Sequence, residues 1–379
     1  MERIKGLKKV LEERKLDGIL IVKPLNIFYF SGVLVNGLLV ITRDQEVLFV
    51  KRPKERPIQS GINIKYIDSL KEVQQFLNAN LGNCGMELDS VPYAFVKRLS
   101  DTLQISNLVD ITHDIRLIRM VKDDTEIEKI KKAGEIASKV FDNVRKVFRE
   151  GMTERDLVIE LEYVSKHFGN LGIYRMHSFG NEASFSHILQ GDSALISSYL
   201  DAPTGGPGVS QAFPQGASFN KISKGKPFTI DVMINYDGYI VDATRTFVWG
   251  NPGKEILETW QKLMDIYNFI QEKLLVGGIP EDIYMATLQK AESLKVSELF
   301  MGPGCDKVKF VGHGVGLEVD EYPFIAKGFK VPIDKNTVVA IEPKFISRDF
   351  GIMGIEDTFI VKPEGPVSVI PFPGELQII

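Results

Sequence analysis

Cysteine is nearly absent from this chain of 379 residues: Cys84 and Cys305 are its only thiols. Two thiols cannot build the disulfide framework of a small secreted scaffold, so a reducing compartment is expected. Long apolar runs are missing too. Ile19–Val22 and Leu38–Ile41 are among the longest, against the roughly 20 residues a membrane helix needs. The opening segment, MERIKGLKKVLEERKL, is charged throughout and lacks the apolar centre of a secretory signal. Neither sign of charge dominates. Lysine and arginine number 46 against 50 aspartate and glutamate, a net −4, which gives no general pull toward nucleic acid or an anionic membrane. With 25% charged and 44% hydrophobic residues, the composition excludes disorder of the whole chain. What remains is a globular protein, expected in the cytoplasm.

At roughly 100–200 residues per domain, the length suggests two domains or three. The first third alternates helix and strand signals. Ile4, Leu7, Val10 and Leu11 lie at helical spacing and predict a helix over 4–16. Gly18–Val22 reads as a buried strand, and 37–50 as a hairpin turning at Arg43-Asp44-Gln45. Strands near 62–67, 85–88 and 108–111, with helices near 70–77 and 92–103, complete a compact α/β domain placed at 1–118. It carries no chemical constellation. Cys84 reads there as a small buried apolar residue.

The second domain, 119–379, opens on a helix. Thr125 and Glu128 are spaced as a capping box. Ile127, Ile130, Ala133, Ala137, Val140, Val144 and Val147 then form one apolar stripe. Gly151 ends that helix, Thr153 opens another, and Gly169 closes it. The same plan recurs as a long amphipathic helix over Pro252–Val276, a stop at Gly277-Gly278, and a new helix from Pro280. An apolar hairpin follows each helix pair, at 228–248 and 337–361. The domain reads as a duplicated half. Two such halves packed about a pseudo-twofold would set their hairpins beside a shared cleft.

Acids interrupt both hairpins. Asp231 and Asp242 lie in the first, directly opposite or offset by two residues according to the turn, and on one face either way. Glu342 and Glu356 sit in apolar runs of the second. Four buried carboxylates without compensation would be prohibitive, so bound divalent metal is the expected compensation. His313, in Val311-Gly-His-Gly-Val-Gly316, adds an imidazole between glycines that permit close backbone approach. No nucleotide-binding glycine loop develops from this run. In chain order the set is Asp, Asp, His, Glu, Glu, an oxygen-rich donor set suited to hard or borderline ions.

These motifs resemble the creatinase/prolidase/methionine-aminopeptidase superfamily of pita-bread metallohydrolases, and most of all its Xaa-Pro peptidases. The likeness spans nearly the whole chain, including the junction Asp114-Ile-Arg-Leu-Ile-Arg119-Met-Val-Lys122. It implies an α+β protein, with a pseudo-twofold duplicated pita-bread catalytic domain behind a smaller α/β creatinase-like domain. It implies metal ligation by Asp231, Asp242, His313, Glu342 and Glu356. The ions would be a pair per chain, Mn²⁺ or Co²⁺ foremost and Zn²⁺ or Fe²⁺ as alternatives. It further implies a homodimer and hydrolysis of the bond before proline by a hydroxide bridging the ions, with Glu342 or Glu356 carrying the proton.

The chain departs from the peptidase pattern at two substrate-handling histidines. Asp320 stands where one would follow the GHG run. The other would fall near Ser197-Ser198, where no histidine occurs; His187 or His177 can take that role from elsewhere. An ionised Asp320 cannot donate to an oxyanion. It is expected to hold a cationic substrate group, to pair with Arg245, or to cap local backbone. Arg245 either pairs with a buried carboxylate or binds a substrate carboxylate. The loop Ala202–Gly208 shapes the cleft or is a surface connection. Cys305 reads as a loop residue, since nothing supplies a cysteine protease's geometry. The first functional reading is an Xaa-Pro dipeptidase or aminopeptidase acting on a small peptide, without nucleic-acid or membrane partners. A second keeps fold and metals for a small non-peptide amide or a lyase reaction. A third, a non-catalytic peptide-binding module, sits poorly with a complete ligand set.

Overall fold

The computed structural model describes residues 2–77 and 80–379. Its chain forms two compact units, Met1–Arg119 and Met120–Ile379.

In the first unit, α1 (Glu2–Glu13) leads into β1 (Gly18–Ile21), α2 (Pro24–Ser31), and the hairpin of β2 (Asn36–Ile41) and β3 (Glu46–Arg52). Then come β4 (Asn63–Tyr66), a 3₁₀ turn at Leu70–Phe76, β5 (Asn83–Met86), α3 (Tyr93–Leu103), β6 (Asn107–Asp110) and α4 (Thr112–Met120). The strands make one sheet in the order β4-β3-β2-β1-β5-β6. The pairs β1–β5, β5–β6 and β3–β4 are parallel, the hairpin pairs antiparallel. Leu20, Leu38, Val40, Phe49, Cys84 and Met86 share a core with Leu99 and Leu103. The helix α2, absent from the sequence expectation, is buried through Leu25, Asn26, Ile27, Tyr29 and Phe30.

The second unit begins with α5 (Asp124–Val147) and α6 (Glu154–His167). The capping box of α5 is Asp123 with Glu126, two residues before the expected pair, because Asp123 holds the extended conformation that an N-cap requires. The buried stripe Ile130, Ala133, Ala137, Val140 and Val144 covers β8 (Pro227–Tyr236) and β9 (Tyr239–Val248). These pair with β7 (Ser186–Gln190) and β17 (Gln377–Ile378) in the order β17-β9-β8-β7.

The second half repeats the layer with α7 (Gly253–Lys273) and α8 (Pro280–Ser293). Its sheet comprises β10 (Phe310–Val315), β11 (Val319–Ala326), β12 (Val338–Ile341), β15 (Asp357–Lys362) and β16 (Gly365–Ser368), with a short ladder of β13 (Lys344–Ser347) and β14 (Gly351–Gly354). Trp260, Leu263, Tyr267 and Ile283 from the helices share one core with Val311, Ile341, Phe345 and Phe359. The segment between α8 and this second hairpin supplies β10 and β11. Thr244 and Glu356 exchange both backbone hydrogen bonds, at 3.2 and 3.0 Å, and so tie one hairpin to the other.

Candidate active site

The β8–β9 register fixes the two aspartates. Asp231 lies opposite Thr244 and Asp242 opposite Met233, around a turn at Asp237-Gly238 with positive φ at both residues. They are therefore offset by two positions on one face, the second of the two arrangements the sequence allowed. The second hairpin keeps one register through both ladders, Ile341 with Asp357 and Lys344 with Gly354, which sets Glu342 opposite Glu356. His313 lies in β10, between β11 and β12. Its following glycine is required by packing: a Cβ on Gly314 would lie 2.1 Å from the Tyr322 carbonyl oxygen.

The hairpins bring all five residues together. Asp242, His313 and Glu356 are buried, and their ligand atoms lie within 4.8 Å of one another. His313 Nε2 is 3.6 Å from Glu342 Oε1 and 3.9 Å from Glu356 Oε1. His313 Nδ1 faces Asp320 Oδ1 at 3.7 Å and the Gly314 carbonyl at 3.2 Å. A carboxylate or carbonyl behind an imidazole is, in general, what orients a histidine that ligates metal. Burial lowers the His313 pKa, but Asp320, Glu342 and Glu356 outweigh it and the net shift is upward.

A residue that the sequence reading did not single out sits among these acids. Lys344 is 1% exposed. Its Nζ donates to Asp231 Oδ2 at 3.0 Å, Glu342 Oε2 at 2.7 Å and Glu356 Oε2 at 3.1 Å. Burial opposes its charge, yet these three carboxylates raise its pKa well above the usual lysine value and keep it an ammonium. The expectation of a pair of ions treated all four acids as uncompensated; Lys344 is one cation already built into the chain. The available signal was a lysine directly after Glu342-Pro343 in an otherwise apolar strand, since a buried lysine must be paired.

One ammonium does not balance four acids. Burial, then Glu356 and Asp231, push the Asp242 carboxyl well above its ordinary range. Burial, only partly offset by Lys344, pushes Glu356 up to about 8. Asp242 Oδ1 and Glu356 Oε1 are buried and accept no hydrogen bond. Oxygen atoms left in this state beside an imidazole fit a divalent cation.

The acids line a cavity of about 1,110 Å³ together with His187, Thr204, Asp320 and Lys344. His187 pairs with Asp231 across β7–β8, and its Nδ1 lies 3.3 Å from Thr204 Oγ1. Burial lowers its pKa, which keeps it neutral. His177 instead meets Glu318, at 3.6 Å. Ala202, Pro203 and Thr204 of the glycine-rich loop line the cavity. Arg245 does not pair with Asp320. Its guanidinium is committed to Asp357, at 2.8 Å, and to four backbone carbonyls. Cys305 lines a separate, smaller cavity with Ser197 and Arg348.

Comparison with known proteins decides the family. The model of metallopeptidase family M24 matches residues 128–363, and that of the creatinase/prolidase N-terminal domain matches 3–121. The chain belongs to metallopeptidase family M24. It is thus an enzyme of the peptidase class in a family that binds divalent metal, and its buried Asp242, His313 and Glu356 form a cluster whose spacing could hold such an ion. A Xaa-Pro dipeptidase of Pyrococcus horikoshii is 28% identical over 371 residues, covering 96% of this chain and 95% of that one. The crystal structure of the prolidase from Pyrococcus horikoshii OT3 superposes with a TM-score of 0.81 at 26% identity, over 99% of this chain and 100% of that one. The Xaa-Pro dipeptidase from Bacillus anthracis shares the fold, with a TM-score of 0.83 at 23% identity over 100% and 99% of the two chains. Among the described residues of this M24 protein, no helix is long and apolar enough to cross a membrane.

Proposed function

We propose that the chain is a metal-dependent Xaa-Pro peptidase that cleaves the bond before proline in dipeptides or short peptides. One observation carries this reading. Asp231, Asp242, His313, Glu342 and Glu356 converge on a single cleft, in a chain related end to end to Xaa-Pro dipeptidases. Asp231, Asp242, His313, Glu342 and Glu356 would hold the divalent metal, with Mn²⁺ or Co²⁺ suited to so many carboxylate oxygens. When bound, the ion supplies Lewis acidity at the scissile carbonyl and brings the pKa of water toward neutrality. Glu356 Oε1 accepts no hydrogen bond within the protein and faces His313. Glu342 or Glu356 would take the proton of the attacking water and pass it to the departing proline nitrogen. His187, neutral, stands with Thr204 on the cleft wall and orients the substrate carbonyl. Asp320 steadies His313 from behind.

One observation favours a second reading, a small non-peptide amide or a lyase substrate. Asp320 and Ser198 stand where peptidases of this kind carry histidines, and Ser198 is bonded to Gln215 Oε1 at 2.9 Å. A panel of Xaa-Pro dipeptides, Xaa-Pro tripeptides, dipeptides without proline and small amides, run with Mn²⁺, Co²⁺ and Zn²⁺, tests both. Turnover restricted to peptides with proline in second place supports the first. Turnover of small amides alone replaces it with the second, and turnover of nothing refutes both. We also propose a cytoplasmic homodimer. Both cysteines are free, and exposed Ile173, Phe179 and Phe219 offer apolar surface for a second subunit. A monomer by light scattering at micromolar concentration would contradict the dimer.

A further inference from the structure

Glu342 and Glu356 each divide their oxygens between two directions. Both Oε2 atoms accept from Lys344, at 2.7 and 3.1 Å. Both Oε1 atoms face His313 Nε2, at 3.6 and 3.9 Å. The site therefore has two cation positions that share the glutamates. On one side stand Asp231 Oδ2 and the Oε2 pair, and there the three N–H donors of the Lys344 ammonium meet three carboxylates. The lysine stem reaches this position because the residue across the ladder is Gly354. A Cβ there would lie 2.7 Å from Lys344 Cγ. On the other side stand His313, the Oε1 pair and Asp242 Oδ1, of which Asp242 Oδ1 and Glu356 Oε1 are buried without hydrogen bonds.

A divalent ion sits roughly 2.0–2.2 Å from a carboxylate oxygen. An ion shared by Asp231 Oδ2 and Glu356 Oε2 would need the volume that the ammonium fills, and would be repelled by it. We propose that Lys344 is a built-in substitute for one ion of a two-metal site. The chain then binds a single divalent ion, on Asp242, His313, Glu342 and Glu356. The inference rests on the metallopeptidase reading for the presence of a resident ion, and it revises the metal count to one. The fixed positive charge beside the ion does not depend on metal supply, and it holds Asp231 and both glutamates in place whether or not the ion is bound.

The test is metal stoichiometry on the full-length protein. Chelator-treated wild type and Lys344→Ala are reconstituted with Mn²⁺ and counted by calorimetry and elemental analysis. Electron paramagnetic resonance distinguishes an isolated Mn²⁺ from an exchange-coupled pair. The expected result is one isolated ion per wild-type chain and a coupled pair in the alanine variant, which has the room and three freed carboxylate oxygens. Two ions in wild type, no ion in wild type, or one ion in a folded variant would each overturn the inference. Should the variant fail to fold, the wild-type count and spectrum decide alone. Peptidase assays on the same samples separate the two claims. Xaa-Pro turnover with two ions in wild type sinks the inference and leaves the function. One ion without Xaa-Pro turnover does the reverse.

Discussion

Replacing Arg245 by methionine removes the cation that stitches the first hairpin to the second. Its guanidinium, 1% exposed, donates to the carbonyls of Thr244, Glu356, Phe372 and Pro373 and to Asp357 Oδ1, all at 2.8–3.0 Å. Methionine fills similar volume and makes none of these bonds. The larger cost is Asp357, which is 3% exposed and would keep only the Tyr267 and Ser368 hydroxyls as side-chain partners. Leaving one member of a buried pair uncompensated costs about 3–5 kcal/mol. At roughly 2–4 °C per kcal/mol for a large domain, the thermal midpoint should fall by about 10 °C. Circular dichroism of the full chain measures it, with Arg245→Met/Asp357→Asn as the partner variant. The double variant, with no charge left unpaired, should recover part of the loss. A drop below about 2 °C in the single variant, or no recovery in the double, would refute the assignment of this pair as a principal tie between the hairpins.

Asp320→Asn removes the carboxylate behind His313, so the apparent affinity for Mn²⁺ by calorimetry should weaken by roughly 10-fold or more; unchanged affinity would free Asp320 for a substrate role. His187→Ala should lower kcat/KM for Xaa-Pro peptides by about 10²-fold, the usual cost of losing one group on the reacting carbonyl, with metal content intact. Equal specificity constants would remove His187 from the site. Glu87, 1% exposed, is pushed up from 4.5 to about 7 chiefly by burial. The folded state therefore holds its proton more tightly, and this stability is complete below pH 4.5 and lost as pH rises through about 7. The shift corresponds to up to about 3 kcal/mol. Glu87→Gln should gain in urea midpoint over wild type at pH 8 and much less at pH 5; the same difference at both would contradict it.

The candidate metal ligands were legible as a set because each is a charged or imidazole side chain interrupting or bordering a largely apolar strand run, and such interruptions have few explanations. The hairpins that carry them were legible from the same alternation. Lys344 escaped because a single lysine beside Glu342-Pro343 carries no ligand signal of its own; only the charge balance of four buried acids calls for it. Helix α2 escaped for a different reason. Pro24–Ser31 is buried on nearly every side, and a helix without a polar face shows no stripe. Strands β10 and β11 were hidden by the glycines and by the register irregularities around His313, which break strand periodicity where the imidazole must be aimed. The position of Asp320 behind His313 depends on the fold of this bulged pair, and residue spacing alone does not reveal it.

The most direct test of the central claim follows hydrolysis of an Xaa-Pro dipeptide by chelator-treated protein as Mn²⁺ is returned, with Glu342→Ala in parallel. Turnover should be absent without metal and rise with added ion to a plateau. The Glu342→Ala variant should stay at least 10²-fold below wild type at that plateau. Undiminished hydrolysis by a demonstrably metal-free preparation, or a fully active Glu342→Ala variant, would contradict the account.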